Sequence, residues 1–383
     1  MPNRSSSFDV AVVGAGVVGL AVGWRTAQRG MRVILLDRAD RAGAGTSAVA
    51  AGMLAPISET IATELPLMRL GLASAGAYPQ FVEELSDASG MDPGYLRCGT
   101  LLAARDTDEA EALKRELELR RSLDLPVNRL LGSEARRLES ALTPTLRMAL
   151  EIPDDHAIDP RKLSAALAVA LTRAGGELRV GAHVHGVAIA NDHITGITLE
   201  DGSEIPVENV VVAAGPWSSA LDGIPDGARI PIHPIKGQIL RLHDPAGPGL
   251  LTRVLRMTGG YVVPRGDGRY VIGATMEERG FDTTVTAGGG FELLRNAFEL
   301  LPSVTELVID ELSAGLRPAT PDNLPALGPG ATRGLHWAVG HYRHGILLTP
   351  ITAQMVVGAL TSGDPIPDEF APTRFAGVPA VAA

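Results

Sequence analysis

The sequence predicts an α/β chain. A Rossmann-like domain on a parallel sheet is interleaved with an α+β domain on a large antiparallel sheet. Three observations predict this. Near the amino terminus a valine-rich strand, a glycine-rich turn, a helix and a second apolar strand follow without interruption. Between Gly237 and Thr275 short apolar runs alternate with turn residues, the pattern of antiparallel strands. Apolar strands then recur far down the chain, at Asn209–Ala214 and His336–Gly340, where they can rejoin the first sheet.

The 383 residues carry a formal charge of −10 and a pI near 5.4. Two or three domains are the prior for this length. The acidic balance argues against a nucleic-acid partner, because neutralising phosphates requires a basic face. A hydrophobic share of 45% describes a globular chain. Cys98 is the only cysteine, which excludes an intramolecular disulfide and points to a reducing, cytoplasmic compartment. It reads as a packed residue and not a reactive thiol. Only Lys114, Lys162 and Lys236 are lysines, so anion recognition falls to arginine. Val10–Leu20 is interrupted by glycines and too short for a membrane span, so no membrane attachment or targeting segment is expected. The polar start Met1–Ser7 is expected to fray.

The first elements follow from local chemistry. Phe8–Val13 reads as a buried strand, Val17–Gln28 as a helix stopped by Gly30, and Met31–Leu36 as the second strand, closing on Asp37. Gly14-Ala15-Gly16-Val17-Val18-Gly19 fills the turn between strand and helix. Gly14 allows the tight turn, and Gly16 lets backbone approach a pyrophosphate. Gly19 lets the helix pack against the strand, and the helix N-terminus favours the phosphate charge. Asp37, 18 residues beyond Gly19, would take ribose hydroxyls. This motif predicts a bound dinucleotide without separating FAD from NAD. The following run, Arg41–Met53, is made of small residues that would let backbone lie against a flat ring system. Its Thr46 and Ser47 could reach phosphate or ribose oxygens.

Further along, Thr60–Leu142 has helical character with breaks at Pro66 and Pro79. Asp108–Leu123 reads as an exposed charged helix carrying Glu111/Arg115 and Glu116/Arg120 at i,i+4 spacing. Asp159-Pro160 starts a helix that ends near Arg173. Leu178–Val180, His183–Ala190, His193–Glu200 and Ser203–Val207 read as short strands around Asn191-Asp192 and Asp201-Gly202 turns. Gln238–Leu242, Arg253–Met257, Gly260–Pro264 and Arg269–Thr275 form the antiparallel set. A helix near Phe291–Leu300, a strand at Leu307–Leu312 and a last helix at Ile351–Thr361 complete the pattern. That last helix is expected to start with Thr349 as its cap and Pro350 behind it.

Six segments carry a resemblance beyond local structure. They are Gly14–Gly19, Gly45–Pro56, Ala213–Ser218, Tyr261–Arg265, Gly315–Pro329 and Gly340–Pro350, the last reading GHYRHGILLTP. Together they span nearly the whole chain, and it resembles the D-amino-acid-oxidase superfamily, within it the glycine oxidases of thiamine biosynthesis. The resemblance implies non-covalent FAD and a small amino-acid substrate. It implies oxidative deamination of glycine, with sarcosine, other small N-alkylglycines and D-alanine as further substrates. Hydride passes to flavin N5 and electrons then to O2, giving glyoxylate, ammonia or amine, and H2O2. The imine would feed the thiazole of thiamine, and a homotetramer is implied. It also implies a discontinuous FAD-binding domain of residues 1–80, 145–225 and 308–383. Residues 81–144 and 226–307 would form the substrate domain.

By the same resemblance Arg317 clamps the substrate carboxylate with two parallel hydrogen bonds. Tyr261 adds its hydroxyl, and Arg343 is a second cation of the site. Met53 lies at substrate and cofactor. The cofactor would also meet Arg38, Gly45, Ala51 and Gly52 after the second strand. Val184 would lie against the adenine, and Ala214, Gly215 and Trp217 would contact the cofactor. His341, Tyr342, His344, Gly345, Ile346 and Leu347 form the carboxyl-terminal loop, whose amides at Gly345–Leu347 would face the flavin. His341 and His344 read as loop residues, because hydride transfer from a neutral amine needs no side-chain base. Asp37 stands where such enzymes more often have glutamate. Gly259-Gly260 before Tyr261 is expected to widen the pocket. Three other readings stay open: a dehydrogenase of the same fold, an NAD-linked oxidoreductase, and a non-catalytic flavin-binding subunit.

Overall fold

Two eight-stranded sheets organise the chain. The computed structural model describes residues 8–378; the expectation for Met1–Ser7 lies outside them. In the first sheet Phe8–Val13 runs parallel to Val33–Leu36 on one side and to Glu204–Val212 on the other. Leu335–Val339 extends it parallel to Glu204–Val212, and Ala326–Pro329 returns antiparallel beside it. Alternation decides which side chains face which layer. Val10 and Val12 pack on helices Val17–Gln28, Leu65–Ser89, Pro160–Arg173 and Thr349–Ser362. Ala11 and Val13 pack instead with Val184, Ile197 and Trp337 on the opposite side.

The second sheet runs Val308–Ala319, His233–His243, Arg269–Gly273, Gly260–Pro264, Val254–Met257, Thr100–Ala104, Met148–Ile152, Asn128–Leu131. All its pairings are antiparallel except Val254–Met257 with Thr100–Ala104. One face is covered by helix Ala287–Leu300, through Leu293, Ala297 and Leu300. The other face carries the site.

Most predicted elements are present with bounds moved by a few residues. The turn Asn191-Asp192 has positive φ at both residues (51° and 61°), as a tight hairpin requires. Asp159 caps its helix, accepting from the amides of Arg161 at 3.0 Å and Lys162 at 3.4 Å. Four expectations are corrected. Pro79 does not break the chain but lies inside helix Leu65–Ser89, with Pro66 in its first turn. A proline costs a helix roughly 3 kcal/mol. Here burial of Leu67, Leu70, Tyr78, Phe81 and Leu85 along one face outweighs it. Thr100–Ala104 and Asn128–Leu131 are strands, not helix. The first is buried at all five positions, so no helical or strand periodicity marks it. Ser203–Val207 and Asn209–Ala214 are one strand, Glu204–Val212, which changes partners near Pro206.

The fourth correction concerns Arg120. Its helix, Thr107–Ser122, is charged, but Arg120 is fully buried and not on a solvated face. Its Nε donates to the Ile57 carbonyl at 3.0 Å and Nη2 to the Ser58 carbonyl at 2.8 Å. Only the Glu116 partner, at 2.7 Å, reaches solvent. The i,i+4 pair therefore exists, but the arginine is turned inward by two carbonyls of a distant loop. Replacing it by an apolar side chain removes one charged donor from each carbonyl, leaving the Thr60 amide on Ile57 and the Arg256 guanidinium on Ser58. Arg120→Leu is expected to cost about 1.5–3 kcal/mol in urea unfolding, the range for losing hydrogen bonds from a charged donor. An unchanged midpoint would show the loop satisfied in another way.

Candidate active site

The site is assembled where the first sheet's loops meet the bare face of the second sheet. Gly14 and Asp37 directly follow strands of the parallel sheet, and Ala214 and Gly215 stand two and three residues beyond Val212, the end of another. Gly14 has φ 108°, and a side chain there would meet the Ala213 carbonyl at 2.5 Å. A Cβ at Gly19 would collide with the Gly14 carbonyl. The Gly14–Gly19 turn is therefore closed to any larger residue at those two positions. Val17 donates its amide to Ser47 Oγ at 3.1 Å, so Ser47 stands at the helix N-terminus. The amides of Gly16, Val18 and Gly19 have no acceptor among the described residues. Asp37 accepts from the Ala15 amide at 2.6 Å and the Ala39 amide at 2.8 Å. Its shorter side chain thus ties the glycine turn to the end of the second strand. Arg38 stacks over the Trp217 ring at 4.1 Å, and Val184 is buried in the adjoining core.

From the glycine turn, residues 43–53 lead to a solvent-open pocket. Ten of the residues singled out in the sequence line it: Thr46, Ala51, Gly52, Met53, Tyr261, Arg317, Tyr342, Arg343, His344 and Ile346. One wall is small-residue backbone, Val49–Met53. The Thr46 hydroxyl is committed to protein: it donates to the Leu316 carbonyl at 2.7 Å. That bond joins the small-residue segment to the strand bearing Arg317.

The opposite wall is written in cross-strand register. Ser313, Ile239, Gly273, Tyr261 and Arg256 are successive partners across one row of the second sheet. Paired residues share a face. Tyr261 lies over Gly273, where a Cβ would meet its hydroxyl at 2.5 Å. In the next row Gly237 pairs with Gly315. A Cβ at Gly237 would strike the Arg317 guanidinium, and one at Gly315 would meet Val49 at 2.9 Å. The missing side chains leave a notch in which Arg317 lies and against which the small-residue wall packs. Gly259 and Gly260 do not widen the pocket as expected. They form the hairpin before Tyr261, where added carbons would meet Asn296 at 2.7 Å and the Gly273 carbonyl at 2.6 Å.

Charge in the cavity is unevenly paired. Arg317 donates only to backbone, to the Thr275 carbonyl at 3.2 Å and the Lys236 carbonyl at 3.4 Å. It has no carboxylate within ion-pair distance among the described residues. Arg343 is held by Glu64 at 2.6 Å and Glu59 at 3.5 Å. Glu59 was not singled out in the sequence, although it is the first charge after an uncharged run from Ala42 to Ser58. Burial works to raise its pKa, but Arg256, Arg343 and Arg317 outweigh that, and the carboxyl sits below its usual range. Burial pushes the Tyr261 hydroxyl up, with Arg317 opposing, so it remains protonated. Burial also pushes the Cys98 thiol up to about 11, in keeping with a packed and unreactive residue.

The carboxyl-terminal loop continues this wall. Residues 342–344 form a helical turn that runs into helix Thr349–Ser362. The expected Thr349 cap is corrected: Leu348 holds the cap position without a side-chain cap, and Thr349 donates its hydroxyl back to the Gly345 carbonyl at 2.8 Å. The amides of Gly345, Ile346 and Leu347 have no acceptor among the described residues. These free donors, the free amides of the glycine turn and the small-residue wall fit a flavin dinucleotide. His341 is buried against Thr352 Oγ1 at 2.9 Å, and burial holds it down to about 3. Burial also holds His344 down to about 4, with Glu59 opposing. Both are neutral at pH 7, and neither is poised near it as a general base would be.

Comparisons with known proteins agree with this geometry. Residues 9–359 match the family described as FAD dependent oxidoreductase (DAO). A glycine oxidase of Geobacillus kaustophilus is 37% identical over 352 residues, 91% of this chain and 92% of its own. Its crystal structure superposes with a TM-score of 0.89 over 97% of this chain and 99% of that one. A bifunctional protein ThiO/ThiG of Synechocystis sp. is 34% identical over 97% of this chain, which spans 54% of that protein. An iminodiacetate oxidase structure from Chelativorans sp. is 29% identical, covers 95% of this chain and 98% of its own, and has a TM-score of 0.85. The chain belongs to the FAD-dependent oxidoreductase family, and FAD is its cofactor. No helix of the described residues is long and apolar enough to cross a membrane.

The buried histidines give this site a pH signature. Unfolded histidine titrates near 6.5. A base whose folded pKa is depressed contributes stability above that value and loses it as pH falls toward the folded pKa. Between about pH 6.5 and 4 unfolding takes up a proton at His341 and another at His344, each worth up to about 1.4 kcal/mol per pH unit. Asp155, raised to about 6 by burial, works in the opposite direction, so the wild-type slope is a net of several groups. The difference curve isolates one. His341→Gln is expected to flatten the decline of the urea midpoint between pH 6.5 and 4. Parallel curves would mean that His341 is protonated in the fold.

Proposed function

Proceeding from membership of that family, we propose that this chain oxidises small amino acids, glycine foremost, with O2 as acceptor. The observation that carries the reading is Arg317, a cavity guanidinium bonded only to backbone carbonyls. A carboxylate partner is what such a group lacks. Arg317 binds the substrate carboxylate, and the protonated Tyr261 hydroxyl, on the same sheet face, donates to it. The remaining room between Met53, Ile239 and Tyr342 suits a small side chain or a small N-substituent. Glycine, sarcosine, other small N-alkylglycines and D-alanine fit that description.

Bound FAD, held non-covalently, supplies a hydride acceptor and returns the electrons to O2 as H2O2. The Gly14–Gly19 turn and Ser47 would hold its pyrophosphate, Asp37 its ribose, and the amides of Gly345–Leu347 its ring. The substrate enters with a neutral amine and loses hydride from Cα, so the neutral His341 and His344 have no proton to take. The imine is hydrolysed to glyoxylate and ammonia, or the corresponding amine. Likeness to the ThiO/ThiG protein supports a second fate, supply of iminoacetate to the thiazole of thiamine. Segments 1–80, 145–225 and 308–383 are read as the FAD-binding domain, although their strands Met148–Ile152 and Val308–Ala319 pair in the second sheet. Segments 81–144 and 226–307 are read as the substrate domain. A cytoplasmic homotetramer belongs to the same reading.

Arg317→Ala tests it. Removing one partner of a desolvated charge pair costs on the order of 2–5 kcal/mol. The variant is expected to keep FAD, to raise KM for glycine, and to lose about 30-fold or more in kcat/KM. Unchanged glycine kinetics would take Arg317 out of the site. An oxygen electrode tests the acceptor: glycine should drive O2 uptake, and dye reduction without it would make the chain a dehydrogenase.

A further inference from the structure

We propose that Glu59 sets substrate charge, restricting this site to amino acids with a single carboxylate. The inference rests on the reading of Arg317 as the carboxylate site. Three guanidiniums, Arg317, Arg343 and Arg256, line or back the cavity, against Glu59 and Glu64. Glu59 lies 3.5 Å from Arg256 and 3.5 Å from Arg343, and Glu64 takes Arg343 at 2.6 Å. One positive charge is left over, that of Arg317. Without Glu59, Arg343 would be half released and could receive a second substrate carboxylate.

The fold fixes Glu59 from both sides of its preceding peptides. Asp155, fully buried, accepts the amides of Ile57 at 3.1 Å and Ser58 at 2.6 Å. Arg120 takes the carbonyls of the same two residues, and Arg256 also donates to the Ser58 carbonyl. Arg256 is thus bound both to this loop and to the Glu59 carboxylate, and it is the cross-strand partner of Tyr261. A carboxylate held this firmly beside Arg343 disfavours a second anion more than it could by drifting in solvent.

Two inert ethers separate the charge from the reaction. Methoxyacetate carries one carboxylate, and diglycolate carries two on the same frame. Each is titrated into the FAD-loaded protein, and binding is read from the visible flavin absorbance. The wild type is expected to prefer methoxyacetate. Glu59→Gln is expected to move the ratio of Kd values toward diglycolate by about tenfold or more. Glu59→Asp, which keeps the charge, should stay within about threefold of wild type. Glu64→Gln, which frees Arg343 from its other acid, should move the ratio in the same direction and keeps the test open if Glu59→Gln does not load FAD. An unmoved ratio in Glu59→Gln, or in Glu64→Gln where that variant stands in, overturns the inference while the Arg317 reading survives. A wild type that binds neither ether overturns both.

Discussion

The site depends on one constraint: a guanidinium must lie flat on a sheet, inside a cavity, with no acid within ion-pair distance among the described residues. An arginine side chain cannot do this on an ordinary pleated face, because the cross-strand neighbour occupies the space. Here the diagonal neighbour is Gly237 and the residue opposite Gly237 is Gly315. Two absent side chains let Arg317 fold down and let the small-residue segment close over it. Tyr261 uses the same device over Gly273. Once those rows are in register, the seat of the Arg317 guanidinium is set by the sheet and not by a loop.

Electrostatics then divide the arginines into two kinds. Arg120, Arg256 and Arg343 are spent on carbonyls and carboxylates of the 57–64 loop. They are structural charges whose partners are already present. Arg317 has only backbone carbonyls, which offset the burial of a cation less than a carboxylate does. The neutral histidines of the carboxyl-terminal loop add no charge of either sign, which keeps that balance intact at pH 7.

Much of this was legible in the sequence. The glycine turn, the small-residue segment and the strand bearing Arg317 announce themselves by composition over a few adjacent residues. What stayed hidden depends on register between distant segments. Gly237 and Gly315 are 78 positions apart and become a notch only when paired. Arg256 enters the story only as the partner of Tyr261, and Glu59 only through arginines from two other segments. Gly259 and Gly260 misled for the same reason: glycines beside a site residue suggest space, but here the hairpin backbone fills it. Pro79 and Arg120 misled because burial reversed their usual local preferences. Of the 44 glycines, 23 adopt positive φ, many of them in turns, and others such as Gly237, Gly273 and Gly315 leave seats for side chains on the second sheet.

The account stands most directly on one observation in the absence of oxygen. The FAD-loaded protein is mixed anaerobically with glycine, sarcosine, D-alanine or D-proline, and the flavin band near roughly 450 nm is followed. The account requires glycine or sarcosine to bleach that band in a saturable way. A flavin that stays oxidised with every member of the panel would contradict it.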